Sequence, residues 1–367
     1  MAVKRILVIA GKMHYGGLEM VIMNYYRNID HSKIQFDFLL NYQEAGVFDD
    51  EIRQLGGEIY ILPRLFFKNI FKYVKALDQF FRTHKEYEVV HGHLTSVGVI
   101  YSIIAKLHGV KKVIIHSHST SVNRTLKGFA ERILMLPLRF CAQHYFACSN
   151  EAGKYAFGRN ILRRSDYRLI RNGIQSEKFS FNQEIRAGVR AGLQLENKFV
   201  IGHIGRFEYE KNHAFILDIF FEIHLRDSDA RLVLIGAGSR KEEIIEKVHA
   251  LGLEAAVVFL EQRPDINELM QGMDVFLLPS HYEGLPVVGI EAQAAGLQCF
   301  FSDAVTRETD VTGLCSFIPL SSPANHWADM ILKCKNGYVR RNMRQAIVDA
   351  GYDIREQARW LQDFYLQ

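Results

Sequence analysis

Residues 198–205 read KFVIGHIG, and what stands before and after this short run decides the architecture. It is a β-branched, apolar segment of strand length ending in glycine, with a helical pattern behind it at 212–226. The series continues with ARLVLIG (230–236), AAVVFL (255–260), MDVFLLP (273–279) and LQCFFS (297–302), separated by helical stretches such as 240–251 and 286–295. An equivalent series has already run once: KRILVIA (4–10), IQFDFLL (34–40), GEIYIL (57–62), YEVVHG (87–92), KKVIIHS (111–117) and QHYFAC (143–148). Short apolar strands alternating with amphipathic helices are the pattern of a parallel, doubly wound sheet covered on both faces. Because the pattern restarts at 198, the expectation is two Rossmann-like α/β domains in series. The segment between them, LIRNGIQSEKFSFNQ (169–183), contains Asn172-Gly173 and few apolar residues in register, which places the boundary near 175.

Composition fits that reading. The chain has 367 residues, 48% hydrophobic and 23% charged, enough for two domains with cores of their own, so disordered and fibrous classes are excluded. The first residues lack the long apolar centre and small-residue cleavage site of a signal peptide. No apolar run approaches the roughly 20 residues of a spanning helix. Five scattered cysteines form no CxxC pair, so neither a disulfide framework nor a zinc site is implied, and a cytoplasmic protein is expected. Residues 1–170 carry 24 Lys and Arg against 14 Asp and Glu, whereas residues 171–367 carry 21 against 27, so the halves differ in charge by sign.

In doubly wound sheets ligands bind beyond the carboxyl ends of the strands, near helix N-termini and loop amides. Two such domains are expected to face each other across a cleft. After the first strand, Gly16-Gly17 stands where a helix begins, and bare backbone there lets a phosphate or sugar approach; a plain turn is the alternative. In IIHSHSTS, His116 lies on the fifth strand and His118 just past it, at the ligand end. His91 and His93 stand similarly on the fourth strand. His91 and His116 read as satisfied structural histidines.

In the second series, GHIGRFEYEKNH supplies Gly205, Arg206 and Lys211: a forked guanidinium and a point ammonium suited to a diphosphate, or else a solvated surface pair. IGAGSRKEE has Gly236-x-Gly238, but position 241 is Lys, which argues against a dinucleotide fingerprint. The stretch SHYEGLPVVGIEA (280–292) places Glu283 in the exit loop of a strand and Pro286 at the first position of a helix running to Gly296. Glu291 then lies about 7 Å further along that axis. Each carboxylate can accept hydrogen bonds from hydroxyls at opposite ends of one elongated ligand, while amides near 285–287 reach the anion between them. A salt bridge from Glu291 to Arg206 or Lys211 is the alternative.

Together, Gly16-Gly17-Leu18-Glu19, His118, Gly205-Arg206 with Lys211-Asn212, and Glu283-Gly284-Leu285-Pro286 with Glu291 resemble the GT4 family of retaining, nucleotide-sugar-dependent glycosyltransferases of GT-B fold. Within it they are similar to bacterial enzymes of exopolysaccharide, capsule and lipopolysaccharide assembly. The resemblance covers essentially the whole chain. It implies an acceptor domain at 1–175 completed by a crossover helix at 352–367, and a donor domain at 176–351. It implies that Glu291 binds the donor ribose and that Glu283, with Gly284, Leu285 and Pro286, holds the transferred sugar. Arg206 and Lys211, with Gly205, Gly16 and Gly17, would clamp the diphosphate. His118 would contact the sugar near the reacting carbon; His93 and Ser119 are candidate acceptor contacts.

The expected donor is a nucleotide sugar, UDP-linked at family level, carrying a hexose or N-acetylhexosamine. The acceptor would be a glycan or lipid-linked saccharide. No cofactor is expected, and no metal, because no DxD-like pair stands in suitable context. SDAVTRETDVTG (302–313) departs from the glycine-rich loop of many relatives, leaving Thr309 and Thr312 as candidates only. A nucleotide-sugar epimerase of similar fold and a non-catalytic partner subunit are the rival readings. Nucleic acid is not an expected partner, since the positive charge is not interleaved with aromatic platforms. Residues 64–77, RLFFKNIFKYVKAL, alternate apolar and basic residues at helical spacing, which suits a peripheral contact with an anionic membrane, or a half-buried helix with a solvated lysine edge.

Overall fold

The computed structural model describes residues 3–14, 16–42, 44–118, 133 and 135–367. The chain divides into two compact units, Met1–Gly173 with Asp353–Gln367, and Ile174–Tyr352.

The first unit is built on a seven-stranded parallel sheet: β1 (Lys4–Ala10), β2 (Ile34–Leu40), β3 (Ile59–Ile61), β4 (Val89–Gly92), β5 (Lys112–Ser117), β6 (His144–Ala147) and β7 (Tyr167–Leu169). Their order is β3-β2-β1-β4-β5-β6-β7, so the winding reverses between β1 and β4. All seven residues of β2 are buried, as a strand covered on both faces requires. Its one carboxylate, Asp37, is fully enclosed and held by Arg5, by Tyr87 Oη at 2.9 Å and by the Glu58 amide at 2.8 Å. The last helix, Ile354–Leu366, is started by Asp353, which accepts from the Arg355 amide, and packs on the helix Gly17–Asn28 that follows β1. The Asp30 amide donates to Gln362 Oε1 at 2.8 Å, and Lys112 Nζ to the Phe364 carbonyl, also at 2.8 Å.

The second unit has six parallel strands: β8 (Val200–Ile204), β9 (Arg231–Ile235), β10 (Val257–Leu260), β11 (Val275–Leu278), β12 (Gln298–Ser302) and β13 (Cys315–Ile318). The order β10-β9-β8-β11-β12-β13 reverses between β8 and β11. Strand alternation divides the core in two. Ile201, Val275 and Leu277 pack with Phe220, Ile223 and Trp327 on one face; Val200, Phe276 and Leu278 pack with Met270, Ile290 and Ala294 on the other.

Several elements differ from the sequence expectation. β7 and β13 were not anticipated; they are edge strands of three and four residues with broken apolar runs, too short for periodicity to mark. Strands expected at 57–62 and 255–260 are shortened to β3 and β10. Pro286 is the N-cap residue, with extended backbone, and the helix runs Val287–Ala294, not to Gly296, because Gly296 turns the chain at φ +73°. Within 64–77 the chain forms a 3-10 turn, Phe67–Asn69, before the helix Ile70–Thr83. Tyr73, Leu77, Phe80 and Phe81 face the core, while Lys68, Lys72, Lys75 and Phe71, 87% exposed, face solvent.

Candidate functional site

The loops leaving β8 and β11 lie at the reversal of the second sheet, where the crossovers diverge and loop amides are left free to meet a ligand. After β8 the chain passes Gly205 and a 3-10 turn, Tyr209–Lys211, to Asn212 in the left-handed conformation, φ 58° and ψ 43°. Asn tolerates that backbone better than most residues, and its side chain holds the bend by donating to the Pro279 carbonyl at 3.0 Å. The Glu210 carbonyl accepts from the His281 amide at 2.8 Å, and the Tyr209 ring stacks on His281. The two exit loops are thereby tied together. Gly236, at φ +153°, allows the β9 loop against them; a Cβ there would fall 2.1 Å from the Gly205 carbonyl oxygen.

This strapping brings Lys211 Nζ to 2.5 Å from Glu283 Oε1, an oxygen that also accepts from Ser280 Oγ at 2.8 Å. Both charged side chains are largely enclosed, 14% and 12% exposed, so the solvated-surface reading of Lys211 is overturned. A cation and carboxylate withdrawn from water need each other and a further hydrogen bond, which Ser280 supplies. The stem of Lys211 lies against Gly205, where a Cβ would stand 3.2 Å from Lys211 Cδ. Arg206 differs: its side chain is 66% exposed and bonds Glu210 at 2.7 Å. It is free to turn without a large desolvation change.

Glu291 lies on the helix Val287–Ala294 with Ile290 and Ala292 fully buried beside it. Neither Arg206 nor Lys211 pairs with it, which removes the salt-bridge alternative; both cations bond other carboxylates. Burial raises its carboxyl to about 7, and no described residue offsets that with an ion pair or hydrogen bond. Gly284, Leu285 and Pro286 form the link between the two acids, with Leu285 and Pro286 buried.

Two supports escaped the sequence reading. Ser280 is fully buried, and its carbonyl accepts from Ser302 Oγ at 2.6 Å. Gln293, also fully buried, donates to the Gly289 and Thr309 carbonyls and accepts from the Val311 amide and Thr312 Oγ1, at 2.7–3.0 Å. It pins the 309–312 segment to the helix that bears Glu291. Thr312 thus contacts Gln293, whereas Thr309 Oγ1 is buried with no hydrogen-bond partner among the described residues. An apolar-looking EAQAAG run gave one signal, a lone amide at a core position.

In the first unit, the residues after β1, β4 and β5 gather at the reversal of that sheet. Gly16 caps the helix Gly17–Asn28 with extended backbone, and a Cβ at Gly17 would meet nothing within 4 Å, so packing does not demand glycine there. His91 on β4 and His93 just past it stack at 4.3 Å between ring centroids, and His116 on β5 and His118 just past it lie tilted at 4.0 Å. His91 bonds Tyr365 Oη at 2.5 Å and His116 at 3.2 Å, and His93 Nδ1 lies 2.9 Å from His118 Nε2. Burial holds His91 and His118 down to about 3 and His93 and His116 well below their ordinary value, so all four are neutral at pH 7. His116 Nδ1 bonds His91 as a structural histidine should, while its Nε2 meets no described partner at bonding geometry and is only approached by the Ile170 backbone. Ser119 lies outside the described residues.

His91, His93 and His116 each bring a ring nitrogen within 4.8 Å of the others, a possible metal-ligand set. Among the described residues no carboxylate joins them to offset a divalent charge in so enclosed a place, and two of the rings already bond each other. A cavity of about 540 Å³ in the second unit, lined by Arg186, Asp274 and Arg340, opens instead at the residues preceding β8 and β11. Its arginines are engaged with the Gln271, Met273 and Ala295 carbonyls and with Asp274. No helix among the described residues is long and apolar enough to cross a membrane.

Residues 15–178 match the family description Glycosyltransferase Family 4, and residues 188–313 match Glycosyl transferases group 1. A Bacillus subtilis protein named as a glycosyltransferase, EpsF, is 34% identical over 99% of this chain and 96% of its own length. An Escherichia coli enzyme named UDP-Gal:alpha-D-GlcNAc-diphosphoundecaprenol alpha-1,3-galactosyltransferase is 26% identical over 73% of this chain and 72% of its own. Among solved structures, Anabaena HepE in complex with UDP and glucose superposes with a TM-score of 0.79 at 19% identity, covering both chains completely.

Proposed function

Because the chain belongs to glycosyltransferase family 4, with the two parallel-sheet units of the GT-B fold, we propose that it is a retaining, metal-independent transferase. Its donor would be a UDP-linked hexose or N-acetylhexosamine. The acceptor would be a glycan or lipid-linked saccharide of bacterial cell-surface polysaccharide synthesis, in keeping with the GlcNAc-diphosphoundecaprenol in the name of the Escherichia coli relative. The observation that carries the reading is Glu291: a partly buried carboxylate that forms no ion pair or hydrogen bond with a described residue, on the helix next to a strapped Lys211–Glu283 pair. Such a group is costly to keep unless a ligand supplies hydroxyl donors.

The roles follow from the charges that develop. As the anomeric bond to phosphate stretches, positive charge grows on the sugar and negative charge on the departing diphosphate. Arg206, exposed and bonded to Glu210, can swing onto the diphosphate, and Lys211 can share its three donors between Glu283 and a phosphate oxygen. Glu283, Gly284, Leu285 and Pro286 take the sugar hydroxyls, and Glu291 the ribose. Gly205, Gly16 and Gly17 give backbone room to the phosphates, His118 touches the sugar, and His93 and Ser119 serve the acceptor. Retention without a protein nucleophile fits attack from the face the phosphate leaves. The bond from the anomeric carbon to phosphate breaks, the bond to the acceptor oxygen forms, and the acceptor's proton passes to the leaving phosphate.

The test is to incubate the purified chain with a panel of nucleotide sugars, with and without undecaprenyl-diphosphate saccharide acceptors and with EDTA, and to assign the product anomer by NMR. Transfer with retained configuration, needing acceptor and unaffected by EDTA, is expected. Conversion of donor alone into a new nucleotide sugar would make the protein an epimerase. Tight donor binding that Glu291→Ala leaves unchanged would revive a non-catalytic partner.

A further inference from the structure

The last helix of the first unit, Ile354–Leu366, does not bury all of its aromatic residues. Ala358, Leu361 and Tyr365 are buried, while Trp360, four residues before Phe364, stays 38% exposed. The Trp360 and Phe364 rings stack at 5.5 Å between centroids, with their planes 14° apart. Phe364 is fixed from its other sides: His144 meets it edge-on at 4.8 Å, Phe146 lies at 5.2 Å, and Lys112 Nζ stands 4.7 Å from the ring centre. Beside this stack a cavity of about 510 Å³ opens between the helix and the starts of β6 and of the edge strand β7. That volume falls within the roughly 300–1,000 Å³ usual for small-ligand sites.

The polar groups around the cavity are uncommitted. Arg168 stands opposite Phe146 in the β6–β7 register, donates to the Tyr167 carbonyl at 3.1 Å and forms no ion pair with a described residue. The Asp363 carboxylate and the Ser165 hydroxyl, which also line the cavity, bond to no described residue. Burial, and after it the nearby Lys112, hold His144 below its ordinary value, so at pH 7 the neutral ring offers one donor and one acceptor. An exposed indole set among donors and acceptors matches a polyhydroxylated ring, whose C–H groups rest on the negative face of the aromatic system while its hydroxyls reach the rim. An anionic ligand fits less well, because Asp166 and Asp363 outnumber Arg168 among the lining charges. The cavity also lies at strand starts, whereas His93 and His118 follow the ends of β4 and β5, so a sugar bound here is not the one that reacts.

We propose that this cavity is a second, non-catalytic carbohydrate site, in which one ring of a saccharide chain packs on Trp360 and its hydroxyls bond Arg168, Asp363 and His144. The inference rests on the transferase reading only for the source of the glycan. A saccharide long enough to reach both ends of the sheet would be held twice, and the second contact would raise its effective concentration at the first.

The test is tryptophan fluorescence of the full chain titrated with neutral hexasaccharides of glucose, galactose and N-acetylglucosamine, with no donor present. The chain has two tryptophans, and Trp327 is fully buried in the second unit, so emission that responds to sugar reports Trp360. At least one hexasaccharide should give a saturable rise and blue shift, and Trp360→Phe, which keeps an aromatic ring in the stack, should remove it. Asp363→Asn, at an exposed position that does not put folding at risk, should weaken binding about tenfold through loss of a hydrogen bond to a charged group. A flat titration with every hexasaccharide, a response that survives in Trp360→Phe, an unchanged affinity in Asp363→Asn, or an equal response to UDP overturns the proposal. The titration needs neither donor nor transfer, so failure of the proposed reaction leaves it readable, and its own failure leaves that reaction standing.

Discussion

Replacing Glu291 by Gln should change the stability of the second unit in a pH-dependent way. Burial moves this carboxyl from its ordinary 4.5 to about 7. Between those values the folded chain binds more protons than the unfolded one, so stability falls as pH rises through the window and levels off above 7. At 1.36 kcal/mol for each tenfold change, the ionised carboxylate costs about 1 kcal/mol at pH 5 and about 3 kcal/mol at pH 8. These are upper values, because the side chain keeps some contact with solvent. Any packing penalty of the amide is the same at both pH values and cancels in the difference, so Glu291→Gln should gain about 2 kcal/mol more at pH 8 than at pH 5. For a unit of this size that is roughly 4–8 °C of Tm, read by calorimetry on the transition of the second unit.

Donor binding should show the other side of the same linkage. Hydroxyl groups that donate to Glu291 favour its ionised form, so a nucleotide sugar should release close to one proton at pH 6 and almost none at pH 8.5. Titration calorimetry in two buffers of different ionisation enthalpy measures that count. A Tm difference that does not vary with pH, together with donor affinity and proton release that stay flat from pH 6 to 8.5, would refute the assignment of an unpaired, ligand-seeking carboxylate.

Two further outcomes are expected. Lys211→Met leaves Glu283 enclosed without its cation and should cost about 3–5 kcal/mol in urea or thermal unfolding. Adding Glu283→Gln should recover most of that stability without recovering transfer, whereas equal loss in single and double variants would deny that the pair is coupled. The exposed Phe71 with Lys68, Lys72 and Lys75 should carry the chain onto anionic liposomes in flotation, weakly and in a salt-sensitive manner. Phe71→Ser with Lys72→Glu should abolish it, and equal recovery on neutral vesicles would count against a basic membrane face.

The sequence by itself determined the two parallel sheets, because a strand buried on both faces must be apolar along its length, and it fixed where the second series begins. It also placed Glu283, Arg206 and His118 beyond strand ends, since that follows from counting residues along a strand. What it could not supply was partnership. Lys211 meets Glu283 across 72 residues and His91 meets Tyr365 across 274, and both depend on which strands and helices the crossovers bring side by side. The same holds for Glu291: its neighbours in sequence suggested burial, but only the folded helix shows that no described cation pairs with it. Periodicity sets which face a side chain takes, while tertiary packing alone decides what stands opposite, and the electrostatics of the site come from the second.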